Sequence, residues 1–148
     1  LGLELPAFTE MKGELKSIIN TPGSILRNPL DLGLIGRDSV LLGRVLKLLA
    51  DLPDIDLIML NERPTFLLGL ISQADLQAIN DVLEDFHCSR KKPLVIVSPP
   101  YGIYEEERVV VEKRLLEAGI PVYPSFDRAA KAIANIIRYW GFRGGGEG

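Results

Sequence analysis

Cysteine and histidine are nearly absent from this chain of 148 residues, which contains one of each, Cys88 and His87. A single cysteine cannot form an internal disulfide or a multi-cysteine metal site. The two residues are adjacent on a predicted helix, where neighbouring side chains point about 100° apart, so they do not face each other as a nucleophile and its base must. The sequence therefore favours a reducing, cytoplasmic compartment and assigns no catalytic residue and no metal site.

The chain also lacks a dominant charge and long apolar runs. Its net charge is −3 at pH 7, with 25% charged and 47% hydrophobic residues, which gives no electrostatic footprint for nucleic acid. No apolar run reaches the roughly 18 residues that span a bilayer, and the amino end lacks the basic and apolar regions of a signal peptide. We therefore expect no nucleic-acid partner and no membrane span.

The chain also lacks the sequence motifs of common enzyme classes that need no second domain for catalysis. The chain contains no GxGxxG, no phosphate-binding loop with GK[ST], no HExxH and no GxSxG. Three consecutive acids at 105–107 could bind a cation, but acids in the first turn of a helix are better explained by its macrodipole. Nucleotide, zinc-protease and serine-hydrolase chemistry by this chain alone is poorly supported.

What the chain does contain is a regular alternation of helix and strand patterns. Apolar periodicity predicts helices near 9–19, 38–52, 73–87, 105–117 and 126–139, and strands near 55–60, 93–97 and 120–123. This order predicts an α/β fold with a mostly parallel sheet and helices on both faces. The length fits one domain, residues 1–142, followed by a flexible glycine-rich tail at 143–148.

Polar residues cluster where a predicted extended segment, 24–32, gives way to a loop before the second helix. Asn28 precedes a proline and should be extended, while Gly33 frees the chain to turn. We expect Asn28, Asp31 and Gly33 to form part of a substrate or phosphate site. The alternative is an Asx turn, in which both polar side chains satisfy their own backbone.

A second polar group, Asn61, Glu62 and Arg63, directly follows the strand predicted at 55–60. Ligands of open α/β sheets bind at the carboxyl ends of the strands, and a guanidinium can fork onto a carboxylate or phosphate. Asn61 and Arg63 are therefore candidate binding residues. The alternative is that Glu62 and Arg63 are ordinary surface loop residues.

Several short segments together resemble the carboxy-terminal flavodoxin-like domain of NDP-forming (ADP-forming) acyl-CoA synthetases, in the succinyl-CoA synthetase superfamily. The segments include the Asn-Pro-Leu-Asp-Leu motif and occur in the family's order and spacing at residues 2–6, 28–32, 55–60, 92–95, 118–125 and 128–132. The resemblance covers nearly the whole chain. It implies a three-layer flavodoxin-like domain.

The resemblance also implies a function. The family joins a carboxylic acid to CoA with ATP or ADP through an acyl phosphate and a phosphohistidine, and this domain supports the histidine without carrying it. Asn28 matches the motif asparagine, and Asp31 and Gly33 match the motif carboxylate and glycine. CoA, nucleotide and magnesium would belong to the complete enzyme. The implied partners are CoA-binding, phosphohistidine and ATP-grasp domains, with a homo-oligomer also open.

The chain departs from the family at its amino end. The family domain opens with an apolar strand, a glycine-rich turn and a helix, and the resemblance begins just after them, so we expect a sheet that lacks its first strand and helix. Two other interpretations stay open. One is a non-catalytic regulatory or assembly module that retains the ligase-like fold, and the other is a stand-alone small-molecule binder of flavodoxin type.

Overall fold

A computed structural model of the chain describes residues 2–8, 11–19, 23–33, 37–62, 71–100 and 104–144. These residues form five helices and three strands, in the order α1 (Lys12–Ile18), α2 (Ser39–Ala50), β1 (Ile58–Asn61), α3 (Gln73–Cys88), β2 (Leu94–Val97), α4 (Glu105–Glu117), β3 (Val122–Tyr123) and α5 (Phe126–Gly144). The predicted α/β class is confirmed. Within these ranges, no helix has the length and apolar character needed to cross a membrane.

The three strands form one open parallel sheet in the order β1-β2-β3. Strand β2 is central and buried along its whole length, as its uninterrupted apolar sequence predicts for a strand covered on both faces. Strand β3 is a short edge strand, in agreement with the proline that precedes it. Strand β1 begins at Ile58 and not at residue 55, since its pairing with β2 starts with Ile58 opposite Leu94.

Helices cover both faces of the sheet, as the sequence predicts. On one face, Ile58, Leu94 and Ile96 join a large core built with α1, α2, α3 and α4. On the other face, Val95 and Val97 pack with helix α5. The arrangement is consistent with a flavodoxin-like order of layers.

Capping side chains start two of the helices, and a glycine ends a third. The Asp38 carboxylate accepts hydrogen bonds from the backbone N–H groups of Val40 at 2.9 Å and Leu41 at 3.0 Å, so it caps α2 at the helix start that the sequence predicts near residue 38. Helix α3 starts with a capping box between Ser72 and Asp75. Gly119 ends α4 with a φ of +86°, a conformation that glycine adopts without steric cost.

Three expectations about helices need correction or lie outside the described residues. The apolar spacing of the helix predicted at 38–52 includes Val40 in its apolar face, but Val40 is 70% exposed. Helix α5 continues to Gly144, past the predicted end near Tyr139, because no proline interrupts its backbone hydrogen bonds. Part of the predicted flexible tail is therefore helical. The sequence predicts Thr9 as the N-cap of the helix near 9–19, but α1 begins at Lys12 and its N-cap residue is Met11. Residues 145–148 lie outside the described residues.

The segment at 24–32, expected to be extended, folds back on itself. The backbone N–H of Ile25 donates to the Asp31 oxygen at 3.0 Å, and the N–H of Asp31 donates to the Ile25 oxygen at 3.0 Å. These two bonds form an isolated antiparallel bridge. The mutual pairing closes a loop at whose tip Asn28 precedes a cis proline.

Candidate functional site

An open cavity of about 1960 Å³ lies along the free edge of β1. One wall is apolar and comes from α2, and the opposite wall comes from the stripe of α5 that includes Ala130, Ile133 and Ile137. The N-terminal segment 2–8 and the loop 28–33 line the cavity as well. We call this cavity the β1 groove.

The backbone of β1 leaves hydrogen-bonding groups directed toward this groove. Among the described residues β1 pairs with β2 alone, through bonds that include Ile58 N–H to the Pro93 oxygen at 3.0 Å and Glu62 N–H to the Val97 oxygen at 3.0 Å. Alternate residues of a parallel strand bond to opposite sides. Met59 and Asn61 therefore direct their N–H and C=O groups away from β2, to the edge that borders the groove.

Glu62 is the most unusual side chain of this region. It follows β1 and lines the groove, yet it is only 4% exposed. Both of its carboxylate oxygens are buried, and neither has a hydrogen-bond partner in the described part of the chain. Burial without compensation disfavours the charged form and raises the pKa of Glu62 to about 7. A carboxyl group with this pKa can hold or release a proton near neutral pH.

A second unpartnered polar group lies beside Glu62. Asn61 pairs with Val97, and the next residues along the two strands are Glu62 and Ser98. Parallel strands lie about 4.7–4.9 Å apart, so these residues are neighbours on one face of the sheet. The Ser98 hydroxyl oxygen is buried and has no hydrogen-bond partner within the described ranges. Two buried polar side chains thus belong to neighbouring residues at the carboxyl edge.

The side chain of Asn28 does not form an Asx turn, which was the alternative to a binding role in the sequence analysis. Its side-chain Nδ2 donates to the backbone oxygen of Pro6 at 3.1 Å, which connects the loop 28–33 to the N-terminal segment across 22 residues of sequence. The side chain is half-buried and lines the β1 groove. Asn28 therefore holds together two segments that line the groove.

Asp31, by contrast, does adopt the alternative arrangement. Its Oδ1 accepts from the backbone N–H of Gly33 at 2.8 Å, as in an Asx turn, and its side chain is exposed. Gly33 has a φ of +55°, in the left-handed region. The two polar residues of the motif therefore differ in their contacts. Asn28 bonds to a residue far away in the sequence, and Asp31 bonds to a residue two positions along the chain.

The second predicted group is only partly described. Asn61 is the exposed last residue of β1 and lines the groove, whereas Arg63 lies outside the described residues. The interpretation of Glu62 as a surface loop residue is wrong, because the carboxylate is buried. A sequence signal for this burial exists in hindsight: Glu62 continues the alternation of Ile58 and Leu60 on the core side of β1.

The other titratable residues singled out from the sequence lie elsewhere. His87 lies close to Gly119, since a Cβ atom added at Gly119 would be 3.5 Å from His87 Nε2. Gly119 is a few residues before the amino end of β3. His87 therefore lies at the edge of the sheet opposite Glu62, and Cys88 beside it is exposed. In the part of the chain that the structure describes, no three His, Cys, Asp or Glu residues gather to hold a metal ion.

The acidic start of α4 is held by an ion pair. The Arg108 Nε donates to Glu105 at 2.7 Å, and Arg108 also bonds to Glu112. The hydrogen bond from Arg108 lowers the pKa of Glu105. This contact adds to the macrodipole as a structural reason for acids in this turn.

The fold and this geometry define a class: an α/β domain with an open parallel sheet, an accessible strand edge and a buried carboxyl group beside it. Comparisons of the chain with protein-family models, with curated proteins and with solved structures found no match. The residues themselves therefore carry the functional argument.

Proposed function

We propose that this chain is a flavodoxin-like domain of an NDP-forming acyl-CoA synthetase and supports the reaction without supplying the catalytic histidine. The position of the β1 groove carries the proposal. The resemblance implies a further strand in the middle of the sheet, and the groove offers a free strand edge with helices of both layers beside it.

The helix N-termini at the carboxyl edge of the sheet support such a role. Helices that connect parallel strands run antiparallel to them, so their N-termini lie at the carboxyl edge, where the backbone N–H groups and the helix dipole favour an anion. Helices α3, α4 and α5 each follow a strand or its loop in this way. The first turns of these helices carry Asp75, the acids at 105–107 and Asp127, so backbone N–H groups, and not a net positive charge, would contact an acyl phosphate or phosphohistidine presented by other domains. We assign no site for CoA, nucleotide or magnesium to this chain, because the resemblance implies that they belong to the complete enzyme.

Reconstitution tests the proposal. The chain is combined with CoA-binding, phosphohistidine and ATP-grasp domains encoded with it, and acyl-CoA formation from CoA, ATP and a panel of carboxylic acids is measured with and without it. We expect turnover only when the chain is present, and lower turnover with Asn28→Ala. The absence of such domains from the same gene or operon, or turnover that does not need this chain, would refute the proposal.

A second candidate function is a regulatory or assembly module that retains the ligase-like fold. It is favoured by the contacts of the motif residues, because the side chains of Asn28 and Asp31 both bond to backbone groups of this chain. In that case Asn28→Ala weakens association with the other domains, while turnover per assembled complex stays at the wild-type value. Measuring assembly and turnover on the same samples separates the two functions.

A further inference from the structure

The second half of helix α5 extends beyond the sheet. The helix starts at the carboxyl edge, shortly after β3, and its first half packs on β2 through Ala129 and Ile133. Its 19 residues span about 28 Å at 1.5 Å per residue, whereas the four residues of β2 span about 13 Å. The helix therefore passes the amino edge of the sheet, and every residue from 135 to 142 is exposed. We call residues 135–142 the α5 overhang.

The α5 overhang carries apolar and aromatic side chains on several sides. Ile136 is 53% exposed, Trp140 is 62% exposed and Phe142 is 87% exposed. These three residues are not among those that line the β1 groove. Trp140 and Phe142 are two positions apart, so their side chains point about 160° apart around the helix. The overhang is therefore an apolar surface separate from the groove, and it is not a single stripe.

Helix α5 is basic although the chain as a whole is acidic. Its net charge is +3, against −3 for the chain, because it contains one acid, Asp127, and four bases, Arg128, Lys131, Arg138 and Arg143. Within the overhang, Nη2 of Arg138 donates to the neutral side chain of Asn135 at 2.6 Å, a bond that does not neutralise the guanidinium. Exposed aromatic rings on a helix with Lys and Arg are typical of helices that lie at a membrane interface.

A second basic group lies at the same edge of the sheet. Three basic residues come just before β2 and so lie at its amino end, namely Arg90, Lys91 and Lys92. Lys91 pairs with Asp51 at 2.7 Å, but the two side chains are 51% and 65% exposed, and ion pairs this exposed contribute little. The acids Asp54 and Asp56 of this edge line the β1 groove. The amino edge thus places cations and an exposed aromatic helix end on one side of the molecule.

We propose that the amino edge of this domain binds the surface of an anionic lipid bilayer, with the α5 overhang seated among the headgroups and the basic residues at 90–92 against their charges. Burial of Ile136, Trp140 and Phe142 supplies the apolar part of the affinity, and the cations supply the electrostatic part. A surface contact of this kind needs no membrane span. The inference goes beyond the proposed function, since it applies equally to a ligase domain and to an assembly module.

Two features favour a bilayer over an acidic protein as the occupant. A protein groove receives a helix along one apolar stripe, whereas Trp140 and Phe142 lie on opposite sides of α5 and a layer of headgroups surrounds both. Tyr139 and Trp140, whose rings contact edge to face with centroids 5.7 Å apart, are also the residue types that concentrate at headgroup level.

Vesicle flotation tests the proposal on the full chain. The probes are vesicles of phosphatidylcholine alone and vesicles in which about one third of the lipid is phosphatidylserine. Trp140 is the only tryptophan of the chain, so its emission reports directly on the overhang. We expect at least tenfold tighter binding to the anionic vesicles, a blue shift of the Trp140 emission on binding, and loss of binding at high salt.

Single variants with matched controls assign the contacts. Lys91→Glu should lower the affinity for anionic vesicles about tenfold, whereas Arg128→Glu, which reverses an exposed charge at the carboxyl edge, should bind as the wild type does. Phe142→Ser should lower the affinity at least fivefold. Its control is Val110→Ser, which changes an exposed apolar residue of α4 and should leave the affinity unchanged.

Four outcomes would overturn the proposal. Absence of binding to anionic vesicles refutes a membrane surface as the partner, and equal affinity for neutral and anionic vesicles refutes the role of the cations. Unchanged Trp140 emission on bound vesicles refutes the seating of the overhang. Tighter binding of soluble polyglutamate than of anionic vesicles would make an acidic polypeptide the occupant. None of these measurements involves acyl-CoA formation, so failure here and failure of the proposed function are separately visible.

Discussion

Glu62 and Ser98 lie side by side on one face of the sheet, at the carboxyl ends of two adjacent parallel strands, and neither side chain has a hydrogen-bond partner within the described residues. Buried polar groups in proteins are almost always hydrogen-bonded, and an unsatisfied one costs about 1–3 kcal/mol. This pair lies at the edge where open α/β sheets bind ligands.

The first prediction concerns the pH dependence of stability. The pKa of Glu62 is raised to about 7 from an ordinary value of 4.5, so its contribution is most favourable below pH 4.5 and is lost as pH rises through 7. At about 1.4 kcal/mol per pH unit, the free energy of unfolding should fall by about 3 kcal/mol over this window. Urea unfolding of wild type and Glu62→Gln at a series of pH values measures the difference between them.

Glu117→Gln is the matched control for this prediction, since Glu117 is exposed near the end of α4. We expect the control to follow the wild-type pH curve within about 0.5 kcal/mol. Parallel curves for wild type and Glu62→Gln would mean that Glu62 titrates normally and would contradict the burial of an unpartnered carboxyl group.

The second prediction concerns Asn28 and Pro6. Asn28→Ala removes the 3.1 Å hydrogen bond to the Pro6 oxygen and should lower the free energy of unfolding by about 1 kcal/mol. Asn28→Asp cannot donate this bond and should lower it at least as much. Loss of a side chain that only binds a ligand would leave stability unchanged, so a thermal or urea melt distinguishes a structural contact from a purely functional one.

A third prediction compares two serines. Ser98→Ala removes a buried hydroxyl that has no partner among the described residues, so stability should stay the same or rise by up to about 1 kcal/mol. Ser72→Ala removes the capping box of α3 and should lower stability by about 1 kcal/mol. The reverse order in chemical unfolding would show that Ser98 has a hydrogen-bond partner in the folded chain.

A fourth prediction compares two glycines. Gly119 has a φ of +86°, so Gly119→Ala should cost about 1–2 kcal/mol. Gly141 lies within α5, and apart from the neighbouring helix backbone no described atom lies within 4 Å of an added methyl group, so Gly141→Ala should raise stability by up to about 1 kcal/mol. A loss of stability in Gly141→Ala would contradict the extension of α5 beyond the predicted helix end.

The sequence was sufficient for the elements whose signals are local. The bounds of α4, the capped start of α2 and the apolar β2 follow from periodicity, a capping carboxylate and a continuous apolar run. Gly119 was recognisable because a glycine after the last periodic residue of a helix commonly ends it.

The features that the sequence did not reveal depend on residues far apart in the chain. The burial of Glu62 results from the packing of helices around β1, and the contact of Asn28 with Pro6 joins segments 22 residues apart. The closure of the loop at 24–32 results from two bonds between Ile25 and Asp31, which a local preference for extended backbone does not predict. Local patterns therefore predicted the sheet edge but not which polar group is desolvated there.

The most direct measurement is a carbon-13 NMR titration of the Glu62 carboxyl carbon in the full chain, assigned by the signal that disappears in Glu62→Gln. A buried, unpartnered carboxyl group at the β1 groove should titrate with a midpoint near pH 7. A midpoint near the ordinary value of 4.5 would contradict this burial and, with it, the account of Glu62 as a desolvated carboxyl group at the β1 groove.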